Sequence, residues 1–272
     1  MGRIVAAALR QKFFPLPVVS APGPVQQIKI PPRSPELVSS YVNHVGGDPL
    51  KYSERIPAHF YPQWAFSLLG KLLEGSGYPL LMGLNAGCSY KVNAPLPLGE
   101  PFQLKGRLAK IDDNGKRAIL DLEFVTSTRQ HAEALEAHLY IFVPLKREKP
   151  SASITKEKPR VPNDVKEVVR WSIGANAGFE FAKLTGDFNP VHWIAPYAKA
   201  VGFKNSILQG FATFARAVEA LEGTHGELKE VSVSFTRPVV LPAEVGLYEM
   251  NNRFWIGDAP GAYSYCEGTY SI

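Results

Sequence analysis

Cysteine is scarce in this chain. Cys88 and Cys266 are too few in 272 residues for a disulfide scaffold, and neither stands at metal-ligand or redox-motif spacing. A reducing compartment suits such a chain, and the cytoplasm is the expected location. Long apolar runs are missing as well: no stretch approaches the roughly 20 residues that a spanning helix needs, so no membrane span is expected. An excess of one charge sign is also lacking. Lys and Arg number 30 against 25 Asp and Glu, and outside the N-terminus and a central segment the two signs are interspersed. Without a basic stripe interleaved with exposed aromatics, nucleic acid is excluded as a partner. The net charge of +5 suits a phosphate-bearing ligand or an acidic carrier, and it suits a solvated basic surface equally well. No acidic residue precedes Glu36, whereas Arg3, Arg10 and Lys12 surround an apolar stretch at 4–9. A transit-peptide remnant would look similar, but there is no Ser before Ser20, and Pro15 and Pro17 come early, so a short docked helix is expected.

What is present is an ordinary globular balance, 45% hydrophobic and 20% charged, in a chain long enough for two domains. Residues 146–164, KREKPSASITKEKPRVPND, are polar and stiffened by Pro150, Pro159 and Pro162, which reads as a linker. Glu148 and Glu157 interrupt its basic run, which argues against a nuclear-localisation signal. The expected organisation is therefore 1–145, a linker at 146–164, and 165–272. The halves repeat one another. Gly47-Asp48 in the first occupies the place of Gly186-Asp187 in the second, and Cys88-Ser89-Tyr90-Lys91 parallels Val233-Ser234-Phe235-Thr236.

Each half also carries the same order of elements. In the second, residues 166–173 alternate as a strand, and 210–222 place Phe211, Phe214, Ala215, Val218 and Leu221 on one helical face, with Gly223 as the expected stop. Strands are then predicted at 229–236, 245–254 and 262–270. The first half offers a helix at 64–73 and strands at 86–92, 102–111, 117–127 and 134–144. A helix apolar along one face followed by a run of strands is packed most economically with the sheet wrapped around the helix.

Chemistry concentrates in 181–210, FAKLTGDFNPVHWIAPYAKAVGFKNSILQG. Asp187 and His192 lie five residues apart, a spacing that a continuous helix does not align. Asn189-Pro190 supplies the turn that lets them meet, because the residue before a proline leaves the helical region. A carboxylate and an imidazole converging on one water can share its proton transfers. Taken singly, an Asp beside Gly also serves as a turn former, and a His as a structural residue. A metal is not expected, since no third ligand stands nearby and His44, His59, His131, His138 and His225 are dispersed. Gly210 opens the second apolar helix. Its N–H can face developing negative charge, or the glycine can simply allow close packing.

This stretch resembles the signature of MaoC-like dehydratases and (R)-specific enoyl-CoA hydratases. That signature runs approximately Ser or Thr, Gly, Asp, any, Asn, Pro, any, His, then Ala, Gly-Phe, Ile and His-Gly. The chain matches it at Thr185, Gly186, Asp187, Asn189, Pro190, His192, Ala198, Gly202, Phe203, Ile207 and Gly210. The resemblance implies an α+β architecture of two tandem hotdog folds, each a central helix wrapped by an antiparallel sheet. The first would be degenerate and bind the acyl chain; the second would be catalytic. It implies a hydro-lyase acting on an acyl-CoA or acyl-carrier-protein thioester, with no cofactor and with a homodimer as an allowed assembly. Asp187 and His192 take the family's catalytic pair, Gly210 the N–H that polarises the thioester carbonyl, and Asn189, Gln209 and Phe203 supporting places. Two departures stand out. Gln209 replaces the family's usual His, and it can hydrogen-bond but cannot take up charge. Lys204-Asn205-Ser206 replaces a segment that usually ends in Pro. A hotdog thioesterase and a non-catalytic acyl-thioester binding subunit are the alternatives; the first would not need His192, and the second is favoured only by Gln209.

Overall fold

Alternation with a period of two residues builds the sheet. Strand β4 (Arg117–Ser127) buries every second side chain along its whole length, and so does β5 (Leu135–Pro144), so each presents one apolar face. A computed structural model describes residues 20–74, 76–78, 83–145 and 158–272. The remaining strands are β1 (Gln26–Ile30), β2 (Leu84–Val92), β3 (Phe102–Asp113), β6 (Lys166–Ile173), β7 (Glu230–Phe235), β8 (Ala243–Met250), β9 (Arg253–Gly257) and β10 (Ser264–Ser271). The helices are α1 (Pro35–Val45), α2 (Pro62–Leu73), α3 (Ala177–Thr185), α4 (Ala195–Ala200) and α5 (Gly210–His225). Among the described residues no helix is long and apolar enough to cross a membrane.

All ten strands form one antiparallel sheet, ordered β1-β3-β4-β5-β2-β7-β10-β9-β8-β6. Read outward from the centre, β2-β5-β4-β3-β1 mirrors β7-β10-β9-β8-β6, so the duplication is also spatial. The two halves meet at the β2–β7 ladder, where Cys88 lies opposite Val233. These are the residues that the sequence repeat equates, which puts the local two-fold axis between them. One long helix lies in each half: α2 buries Trp64, Leu68 and Leu72, and α5 buries Phe214, Ala215, Val218 and Leu221. Trp64 satisfies its indole N–H on the Thr126 hydroxyl of β4 at 3.0 Å.

Three expectations are corrected. Helix α5 runs through Gly223 to His225, and Gly226 at φ +85° ends it. A glycine is tolerated inside a helix when packing holds it, and the positive-φ glycine that ends the helix comes three residues later. The predicted strand 245–254 is two strands, turned at Asn251 and Asn252 with φ of 51° and 58°, a conformation that Asn adopts more readily than other side chains. The end of the expected linker is packed: Arg160 bridges to Tyr263, and Val161 is buried with Tyr248 and Trp255. The basic N-terminal stretch and residues 146–157 lie outside the described residues.

A buried polar chain ties the first half to α5. The Tyr41 hydroxyl lies 2.9 Å from His59 Nδ1, and His59 Nε2 lies 2.9 Å from Glu219 Oε1. A carboxylate only accepts, so the proton of the His59–Glu219 contact sits on Nε2, and the Tyr41 hydroxyl also donates to the His59 carbonyl at 3.3 Å. The His59 and Glu219 side chains are each 1% exposed, and removing the middle member would leave a buried carboxylate unpaired. His59→Leu should therefore lower unfolding free energy by about 3 kcal/mol or more in urea titration. A loss below about 1 kcal/mol would show that the chain contributes little to joining the halves.

Candidate active site

The loop between α3 and α5 is shaped by its breakers. Gly186, at φ +81°, ends α3 in the left-handed conformation and turns Asp187 away from the helix. Asn189 then caps a 3-10 turn, Pro190–His192, by accepting the Val191 N–H at 3.3 Å, and Pro190 fills the first position, where no N–H is needed. The turn brings His192 back toward Asp187, leaving His192 Nε2 3.7 Å from Asp187 Oδ2. That is too long for a direct hydrogen bond, so both groups remain available to a third atom between them.

The imidazole is oriented from behind. His192 Nδ1 lies 2.8 Å from the Ile207 carbonyl, which can only accept, so Nδ1 carries the proton. In the neutral ring Nε2 is then the acceptor, facing Asp187. The Asp187 and His192 side chains are 19% and 12% exposed, recessed but reachable.

Gln209 stands behind this pair. Its Nε2 donates to the Gly178 carbonyl at 2.8 Å and, at a longer 3.4 Å, to the Asp187 carbonyl, joining the start of α3 to the loop that carries Asp187. It is 1% exposed, and Oε1 has no hydrogen-bond partner. The place that the family resemblance gives to a His is thus filled by a brace.

Asp187, Asn189, His192, Phe203 and Gly210 line one cavity of about 650 Å³; Gln209 does not reach it. Gly210 starts α5, so its N–H has no acceptor within the helix. Gly210 lines the cavity, and a Cβ there would meet the Phe235 ring at 2.8 Å, so close packing accounts for glycine at this position. Phe203 packs on Val191, Ala198 and Ile207 and supports the loop. The first half supplies the apolar wall through Phe66, Leu69, Leu73, Leu139 and Ile141. Trp64 and Leu68, on the other face of α2, are spent on the core of the first half and do not line the cavity. Asp48 is exposed, caps its own turn through the Leu50 N–H at 3.0 Å, and lies outside the cavity. Among the described residues no three His, Cys, Asp or Glu side chains cluster as metal ligands.

Two positions escaped the sequence. The Ile207 carbonyl is a backbone group and has no residue-type signal. Gly178 sits where a Cβ would come 2.1 Å from the His192 carbonyl oxygen, so only glycine lets the loop lie against α3.

An antiparallel sheet doubled around two helices, with a cavity between the halves, is the double hotdog architecture. A Mycobacterium tuberculosis protein described as having a double hotdog fold aligns with a TM-score of 0.59 at 10% identity, over 93% of this chain and 96% of that one. Residues 155–253 match the MaoC like domain family, so the second half of the chain carries a MaoC-like domain. Over 252 residues the chain is 25% identical to 3-hydroxyacyl-thioester dehydratase X of Mycobacterium tuberculosis, covering 88% of this chain and 86% of that protein. The crystal structure of HtdX from the same organism superposes with a TM-score of 0.74 at 20% identity, over 90% of this chain and 98% of that one. The peroxisomal hydratase-dehydrogenase-epimerase of Neurospora crassa is 31% identical over 157 residues, 53% of this chain; the match spans only 17% of that longer protein.

Gly178→Ala should push the His192 carbonyl away and misplace the imidazole. A displacement of about 1 Å at such a group can cost about 100-fold in turnover. Steady-state rates on the substrate inferred below should fall at least tenfold with native circular dichroism retained; an unchanged rate would show that the loop does not depend on this contact.

Proposed function

We propose that this protein catalyses the reversible syn addition of water to a trans-2-enoyl thioester, giving the (R)-3-hydroxyacyl thioester. One observation carries the reading: His192 Nε2 and the Asp187 carboxylate face each other across 3.7 Å at the wall of an apolar cavity that the N-terminus of α5 also enters. A water held by both groups adds its oxygen to C3 of the enoyl chain. Its proton passes to the pair, and the C2–C3 electron pair moves toward the thioester oxygen, where the Gly210 N–H and the helix dipole stabilise it. The pair then delivers a proton to C2, so one water is added and the enzyme is restored. Either Asp187 or His192 can serve as the base toward water, and no cofactor takes part.

The substrates proposed are acyl-CoA or acyl-carrier-protein thioesters. Leu69, Leu73, Leu139 and Ile141 of the first half would receive the acyl chain, each buried methylene contributing up to about 0.8 kcal/mol. Chains longer than four carbons should therefore be accepted. The non-catalytic alternative rests on Gln209, and the bracing of Gly178 and Asp187 by that side chain supports a positioning role for it instead. A cytoplasmic location goes with two free buried cysteines; the compartment in the name of the Neurospora relative is the competing outcome in cell fractionation.

Pure protein mixed with crotonyl-CoA and longer enoyl-CoAs separates the readings. Loss of the conjugated-enoyl absorbance supports hydration, release of free thiol supports a thioesterase, and neither supports a binding subunit. Asp187→Asn and His192→Ala should each lower turnover by about 100- to 10,000-fold while the protein stays folded. Asp48→Asn should leave it nearly unchanged, and Gln209→His should stay within about tenfold, because a positioned backbone N–H and not this side chain polarises the carbonyl. Equal damage from Asp48→Asn and Asp187→Asn, with both folded, would contradict a single site.

A further inference from the structure

Among the described residues Arg237 is the only Lys or Arg side chain lining the cavity. It lies two residues beyond the end of β7, half-exposed at the rim. Its guanidinium is held by aromatic faces: it sits 4.5 Å from the ring centroid of Tyr265 and 6.0 Å from that of Tyr263. Among the described residues its guanidinium donates a long hydrogen bond, from Nη1 to the Tyr263 carbonyl at 3.4 Å, and it also interacts with the Tyr265 hydroxyl. Among the described residues no carboxylate lies within ion-pair distance of it. The Asp258 carboxylate is engaged elsewhere, accepting the Tyr265 hydroxyl at 2.7 Å. Burial, followed by that hydrogen bond, pushes the hydroxyl up to about 12, so it remains a donor at neutral pH.

A guanidinium with most of its five donors unspent, fixed by stacking at the edge of an apolar cavity, is pre-organised for a bidentate anion. We propose that Arg237 binds a phosphate of the thioester's carrier arm, which rests on the hydration reading for the choice of arm. The acyl chain is drawn to the buried wall of the first half, so the arm leaves across the rim. The path is short: the position a Gly210 Cβ would take is 2.8 Å from the ring of Phe235, two residues before Arg237. Gly210 and Arg237 line the same cavity, so one thioester can reach both. The arm's own phosphate is common to coenzyme A and carrier proteins; the nucleotide phosphates belong to coenzyme A alone.

Binding tests the site without catalysis. Titration calorimetry on the full chain compares pantetheine, 4′-phosphopantetheine and coenzyme A. Wild type should bind at least one phosphorylated ligand about tenfold or more tighter than pantetheine, and Arg237→Gln should abolish that gap with melting unchanged. If the lost gap is the one between pantetheine and 4′-phosphopantetheine, the contact is the shared phosphate. If it is the one between 4′-phosphopantetheine and coenzyme A, the contact is a nucleotide phosphate. The absence of any gap, or a gap that survives in Arg237→Gln, overturns the proposal.

Kinetics give the second arm. Against crotonyl-CoA, Arg237→Gln should raise KM about tenfold with kcat nearly kept, while crotonyl-N-acetylcysteamine, which has no phosphate, should be unaffected. Arg237→Lys should recover part of the loss, as a point charge does. Equal loss on both thioesters, or on neither, overturns the phosphate contact and leaves hydration standing. An Arg237-dependent binding gap in a protein that hydrates neither thioester leaves the phosphate site standing and removes the hydration reading.

Discussion

The antiparallel ladder between β2 and β7 is the contact on which the rest of the site depends. Five backbone pairings, Gly87↔Ser234 through Lys91↔Glu230, join two five-stranded sheets into one. That ladder places α2 of the first half where Phe66, Leu69 and Leu73 face the loop carrying Asp187 and His192. Without it each half would keep a helix and a sheet but would lack the cavity between them. The Tyr41–His59–Glu219 chain adds a directional tie between the same two bodies, where apolar packing alone would permit sliding.

The two halves hold their corresponding loops differently. The second half keeps a loop held at several points: Gly186 turns it, the Asn189 cap closes it, the Ile207 carbonyl fixes the imidazole, and Gln209 clamps it to α3. In the first half, the loop after α1 keeps the Gly-Asp pair, but Asp48 spends its carboxylate on the Leu50 N–H at the surface. Its helix α2 uses one face for its own core and turns the other to the shared cavity. A wall of that kind needs volume and apolarity only, which is a weaker demand on sequence than a catalytic loop makes.

Much of this was legible in the residues. Strand β4 was placed to the residue and β6 likewise, because alternation in a half-buried strand is a direct record of which side faces the core. The meeting of Asp187 with His192 followed from Asn189-Pro190, since proline chemistry acts locally and needs no tertiary knowledge. What stayed hidden was tertiary. Gly223 looked like a helix stop, yet packing carried α5 on to His225. Asn251-Asn252 hid a hairpin inside one expected strand. Gly178 has no local signature at all, because its requirement comes from a carbonyl 14 positions later in the chain. The cavity's apolar wall, assembled from separate segments, could be anticipated as a property of α2 but not assigned to Phe66 and Leu69 over Trp64 and Leu68.

The central claim is that one site is built by both halves, with chemistry from the second and an acyl wall from the first. Leu69 lines the cavity from α2 and belongs to no catalytic contact, so filling its space separates the two contributions. The measurement is kcat/KM of Leu69→Trp on 2-octenoyl-CoA and on crotonyl-CoA. The account predicts a fall of about tenfold or more on the eight-carbon substrate with the four-carbon substrate nearly unaffected, because the added ring blocks only the depth of the cavity. Equal effects on both substrates, in a protein of native stability, would contradict it.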